Sequence, residues 1–173
     1  MTRKLIAIPV SLREANALVE NFHRHSRPVR GHQLAVACSD GEEMAGCAIL
    51  GRPVARELQD GVTAEILRSV VLPAFQADGP KGRLRHPRAP SGSVARSVNS
   101  FLEASLWRAY RALGGRRLVT YTLVGESGAS QLGAGFRVVA EVQAREGEGW
   151  LNRPGRDWQP VYGQDKLRWE RAA

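Results

Sequence analysis

The chain has 173 residues, 43% of them hydrophobic and 24% charged, with a formal net charge of +8. That length suits one domain, which buries roughly 70% of its unfolded surface and needs no staples, and the composition excludes disorder as a description of the whole chain. The charge gives a positive surface potential that attracts polyanions and repels cationic substrates.

Lys4 to Val10 (KLIAIPV) reads as a first strand. Ser11 then opens a helix, because Ser11 and Glu14 form an S-x-x-E capping box. Leu12, Ala15, Leu18, Val19 and Phe22 follow at helical spacing. The helix runs out before Pro28, which disfavours a helical residue ahead of it. Gln33 to Cys38 and Met44 to Leu50 flank Ser39-Asp40-Gly41 and predict a β-hairpin. After the polar connection GRPVARELQD, Ala64 to Leu72 (AEILRSVVL) predicts a further strand, closed by Pro73.

The composition then breaks. Residues 76–95 (QADGPKGRLRHPRAPSGSVA) are rich in Gly, Pro and Arg and have no periodicity. A helix returns from Ser97 to Leu113 with Val98, Phe101, Leu102, Ser105, Leu106, Ala109, Tyr110 and Leu113 on one face, and Gly114-Gly115 ends it. Arg117 to Leu123 predicts a strand, Ala129 to Ala134 a short helix, and Phe136 to Val142 a strand. Residues 147–173 carry Trp150, Trp158 and Trp169 among Arg, Pro and Gly and read as irregular. Helices between the later strands imply partly parallel pairing, hence a single α/β domain over residues 1–173.

No stretch is long enough to span a bilayer. The apolar part of MTRKLIAIPVSLREA is too short for a secretory core. Cys38 and Cys47 flank the hairpin, where buried strand thiols and a cross-hairpin disulfide are the alternatives; no Cys/His spacing suggests zinc. A cytoplasmic location is expected. The basic residues are almost all Arg, with Lys only at Lys4, Lys81 and Lys166. A planar guanidinium fork suits phosphate, although a GC-rich genome also raises Arg over Lys.

AEILRSVVLP, the helix ending in RALGG, the strand RRLVTYTL and ASQLGAGF occur in an order similar to that of the GNAT (GCN5-related N-acetyltransferase) fold. A closer resemblance covers nearly the whole chain through HRHSRPVRGHQLAVAC, GRPVAREL, EILRSV, WRAYRALGGRRLVTYTL, ESGASQLGAGF, GWLNRPGR and KLRWE. These segments resemble a phage and prophage GNAT-like family related to the Mom DNA-modification protein of phage Mu. The resemblance implies a GNAT-like mixed sheet flanked by helices, and a DNA partner. In ordinary GNAT proteins a Q/R-x-x-G-x-G/A loop holds the coenzyme A pyrophosphate at a helix N-terminus. GPKGRLRHPRAPSGS stands there instead, with the right residue types and another spacing. Acetyl-CoA or another acyl donor is thus possible, with weak or absent coenzyme A binding expected. The tyrosine that many GNAT enzymes carry in the last short helix is also missing.

Candidate site residues follow from chemistry and from this resemblance together. His23 and His25, beside Arg24 and Arg27, could supply a base and phosphate contacts, or simply complement a helix C-terminus. Glu65 and Arg68 lie three apart on one strand and are expected on opposite faces. Arg68 interrupts an apolar run and needs either a partner or a solvated cleft. Ser100 could reach a phosphate or substrate, or be an ordinary residue of a helix start. Tyr121 is a packing residue or a proton donor, and Glu126 and Ser127 are candidates for capping the short helix, with a site role as the alternative. Arg68, Ser100, His25 and Tyr121 are therefore the catalytic candidates. His23, Arg52, Glu65, Trp150, Arg153 and Arg156 are the candidates for substrate, since Arg interleaved with aromatic residues can stack bases and hold phosphates. Arg83, Arg85, Arg88 and Ser97 are the candidates for a cofactor, although the basic insertion could hold the DNA backbone instead. The expected activity is transfer of an acyl or related group to a nucleobase amine. The alternatives are acetylation of a small amine and nucleic-acid binding without chemistry.

Overall fold

Ser11 opens the first helix as its capping box predicts. Its Oγ accepts from the Glu14 N–H at 3.3 Å, and Glu14 Oε2 accepts from the Ser11 N–H at 2.8 Å. The computed structural model, which describes residues 4–23, 26–76, 97–144 and 163–173, places this helix, α1 (Leu12–Phe22), after a short strand, β1 (Ile6–Pro9). The hairpin follows as β2 (Leu34–Ser39) and β3 (Met44–Gly51), turned by Gly41 at φ 98°. Next come β4 (Thr63–Val71), α2 (Val98–Ala112), β5 (Arg117–Leu123), α3 (Ala129–Gly133), β6 (Arg137–Val142) and β7 (Lys166–Ala172). Gly114, at φ 93°, ends α2 as its position predicts, and Leu113 sits outside the buried stripe, exposed.

Among the described residues one seven-stranded sheet runs β1-β2-β3-β4-β5-β7-β6. Of these neighbours β4 and β5 pair in parallel and the others are antiparallel. The strand β7 is a correction to the reading of residues 147–173 as irregular, because residues 166–172 insert between β5 and β6. KLRWERA hid this strand by alternating charged residues with only Leu167 and Trp169 as apolar markers.

The two faces of the sheet are covered differently. On one, α2 buries Leu102, Leu106, Trp107 and Tyr110 against Cys38, Leu50, Ile66, Leu118 and Trp169. On the other, α1 buries Ala15 and Val19 against Cys47, Ile49 and Val70. Cys38 and Cys47 thus lie on opposite faces, and both are free thiols. Burial pushes them up to about 12 and about 11, so they are inert. Trp169 Nε1–H donates to Thr122 Oγ1 at 2.9 Å. A Cβ on Gly128, itself at φ 63°, would meet the Trp169 ring at 2.2 Å, so the turn into α3 requires glycine. No helix among the described residues is long and apolar enough to cross a membrane.

Candidate active site at the opening between β4 and β5

The parallel ladder between β4 and β5 is short. Thr63, Ala64 and Glu65 pair with Arg117, Leu118 and Val119, and there the pairing stops. Beyond it β4 stays with β3 as far as Val71, and β5 stays with β7 as far as Leu123. The strands part, and from Ile66 onward that edge of β4 has no strand partner among the described residues. A strand edge without a strand partner can receive an extended, amide-bearing ligand much as a sheet receives a strand.

A β-bulge lies on the same stretch. Leu50 stands opposite Ile66 and Ile49 opposite Arg68, so Leu67 has no partner on β3. Before the bulge, Ala64 and Ile66 face α2; after it, Val70 faces α1 and Ser69 bonds to Asn99 of α2. Glu65 and Arg68 therefore share the α1 face, which corrects the expectation of opposite faces. The extra residue resets the alternation.

On that face Val119 pairs with Glu170, Tyr121 with Arg168 and Leu123 with Lys166. Glu65 is 7% exposed, and its Oε2 accepts from the Val54 N–H at 2.8 Å. Burial, and after it the charge of Glu65, pushes the Tyr121 phenol up to about 12; Arg168 opposes this, and Glu57 and Glu170 add to it. Burial draws the ammonium of Lys166 downward, with Glu65 opposing. Arg168 Nε lies 3.3 Å from Glu170 Oε1, oriented as an ion pair and not as a hydrogen bond. Arg117 reaches Asp60 at 2.9 Å and Glu170 at 3.9 Å. The face thus holds a protonated phenol, a buried carboxylate and a rank of partly neutralised cations beside the parted strands.

The remaining predicted residues are placed as follows. Arg68 donates from Nε to Arg27 O at 2.8 Å and from a terminal nitrogen to Leu67 O, tying the loop after α1 to the bulge. His23 ends α1, and its Nδ1 accepts from the Ser26 N–H at 3.2 Å. Arg52 is exposed just beyond β3. Ser97 caps α2, its Oγ accepting from the Ser100 N–H at 3.1 Å, and Ser100 Oγ donates to Ser130 O at 2.8 Å, fastening α2 to α3. His25, Arg83, Arg85, Arg88, Trp150, Arg153 and Arg156 lie outside the described residues, as does nearly all of the basic insertion. The structure therefore brings Glu65 and Tyr121 to one place, and sets Ser97 and Ser100 on the α2 side. Sequence reasoning missed Lys166, Arg168 and Glu170, because β7 itself was missed. Their alternation in KLRWE was the available signal.

No protein-family model matches the chain, and no curated protein matches it in sequence. Solved structures do. A Bacillus subtilis acetyltransferase in complex with CoA superposes with a TM-score of 0.59 at 16% identity, over 98% of this chain and 99% of that one. The chain has the GNAT acetyltransferase fold. Two further GNAT-fold neighbours agree. The Escherichia coli ribosomal-protein-S18-alanine N-acetyltransferase matches at TM-score 0.57 and 14% identity, over 98% and 94% of the chains. The Vibrio cholerae spermidine/spermine N-acetyltransferase matches at 0.58 and 13%, over 98% and 92%. The order of elements expected from the sequence for a GNAT-like mixed sheet is the order observed as far as β6, and β7 is added to it.

Proposed function

We propose that the protein is an N-acyltransferase that moves an acyl group from a coenzyme A thioester to an amine, and that this amine belongs to a nucleobase of DNA. The observation that carries the reading is the opening itself. Past Glu65 the edge of β4 has no strand partner among the described residues, in the fold that the Bacillus subtilis neighbour uses with CoA bound. A narrow donor arm with amides of its own fits such an edge, and this outweighs the weak binding expected from the changed pyrophosphate loop.

A bound thioester would supply an electrophilic acyl carbon. The residues of this chain then divide the proton work. Tyr121, held protonated, can donate a hydrogen bond or a proton to a leaving group. Glu65 is a buried carboxylate close enough to raise that phenol, and it can take the proton that an attacking amine must lose. Lys166 and Arg168 beside them favour an anionic acceptor over a cationic one. The net charge of +8, the predominance of Arg, and the resemblance to the Mom-related family support DNA as the bearer of the amine. A base in duplex DNA has to be flipped out for its amine to be reached.

Mass spectrometry of nucleosides from the DNA of expressing cells, including the native phage host, tests this. A new acylated nucleoside, absent when Tyr121 is replaced by Phe, is the expected result. Unmodified DNA in that host, together with acetylation of a small amine or a protein by the purified enzyme, overturns the DNA acceptor and leaves the transferase.

A further inference from the structure

Glu103, on the second turn of α2, is 1% exposed and belongs to a polar relay between three elements that is buried at Glu103 and Gln131 and half-buried at Asn99 and Ser69. Its Oε1 accepts from Gln131 Nε2 of α3 at 2.7 Å and from Asn99 Nδ2 at 3.3 Å. Asn99 Oδ1 in turn accepts from Ser69 Oγ of β4. Both donors converge on one carboxyl oxygen. The other, Oε2, is buried and has no hydrogen-bond partner among the described residues.

The position of this relay matters. Ser69 lies on β4 beyond the last pairing with β5, and Gln131 lies on α3, which follows β5 in the chain. The chain Ser69–Asn99–Glu103–Gln131 thus spans from one parted strand to the helix that succeeds the other. A carboxyl with one oxygen saturated by N–H donors and the other without a partner suits the neutral acid, with the proton on Oε2. Burial agrees, pushing Glu103 up to about 8 against the opposing bond from Gln131.

We propose that Glu103 is a positioning residue for the acyl donor: as a neutral acid it lets β4 and α3 close to the spacing the donor arm requires, and loss of its proton leaves a charge on the buried Oε2 that favours a looser, solvated arrangement. The proposal rests on the acyl-transfer reading above. Few charged groups compete for the effect among the described residues. β3, β4, β5 and α3 present no titratable group to α2. Cys38 of β2 stays a neutral thiol. Arg171 of β7 is engaged with the Trp107 ring at 5.3 Å and with Ala134 O. On α2 itself Arg108 donates to Ser105 Oγ, and burial raises the Tyr110 phenol.

Calorimetric titration of acetyl-CoA into the whole protein between pH 7 and 9.5 tests this, because the ligand has no free thiol to titrate. Wild type should lose about tenfold in affinity over that range, which corresponds to one pKa unit of difference between bound and free protein. Glu103→Gln keeps the shape of the neutral acid and a donor on the same side. It should bind as wild type does at pH 7 and show no such fall, whereas Glu103→Ala should bind weakly at every pH. The same fall in Glu103→Gln as in wild type, a flat wild-type profile, or wild-type affinity in Glu103→Ala overturns the role of Glu103 alone. Wild type that binds no acetyl-CoA at any pH overturns the acyl-donor reading, and this inference with it.

Discussion

Glu65 and Arg68 project from the same face of β4, although three positions separate them. Leu67, unpaired at the bulge, makes the difference. The consequence is that a carboxylate at the end of the parallel ladder and a guanidinium holding the loop after α1 stand along one wall of the opening.

The guanidinium of Arg68 bonds to two backbone carbonyls, those of Arg27 and Leu67. Arg68→Ala leaves both acceptors without this donor, and bonds to a charged group are worth about 1.5–3 kcal/mol each. Water can replace the donor at these partly exposed carbonyls, so the net loss is smaller than the sum, about 2 kcal/mol, which lowers Tm by about 4–8 °C in a domain of this size. Thermal denaturation followed by circular dichroism measures it. An unchanged Tm would show that the loop is held by other means.

Tyr121 is pushed up to about 12, chiefly by burial and then by Glu65, so it stays protonated throughout the physiological range. In Tyr121→Phe the acyl transfer rate should fall about 100-fold, the lower end of what a positioned proton donor contributes. Its Tm should stay close to that of wild type. Single-turnover kinetics at saturating donor give the comparison. Transfer at the wild-type rate in the phenylalanine variant removes the phenol from the mechanism.

Glu103 also makes stability depend on pH, with a definite sign. Burial pushes its carboxyl up to about 8 in the folded protein, from an ordinary 4.5. Between these values the folded state keeps a proton that the unfolded state has lost, so stability falls as pH rises. The contribution is full below pH about 4.5 and gone above about 8. Glu14 and Asp60, whose carboxyls are held low by hydrogen bonds from Ser11 and Thr63, act in the opposite sense at acid pH. The readout is therefore the difference between wild type and Glu103→Gln. From pH 5 to pH 8.5 the Tm of wild type should drop by several degrees more than that of the variant. Parallel curves contradict a neutral Glu103.

The sequence by itself determined the elements whose signals are local. Ser11 and Glu14 meet within one turn, Gly41 and Gly114 supply positive φ, and the stripe Val98, Leu102, Leu106 repeats at helical spacing. β5 matches its predicted bounds, Arg117 to Leu123. Tertiary structure alone decided the rest, because the physical cause lies between segments distant in the chain. The bulge at Leu67 is a matter of register against Ile49 and Leu50, and nothing in EILRSV marks which residue goes unpaired. β7 exists because β5 and β6 bracket it, and in place of an apolar run it carries charged residues, of which Glu170 pairs with Arg117 of β5 and with Arg168 of its own strand. Glu103 reads in sequence as a charged residue on an amphipathic helix, a type almost never fully buried unless paired. Only the packing of α3 and β4 on α2, bringing Gln131 to the oxygen that Asn99 reaches from the preceding turn and covering the other, turns it into a buried acid.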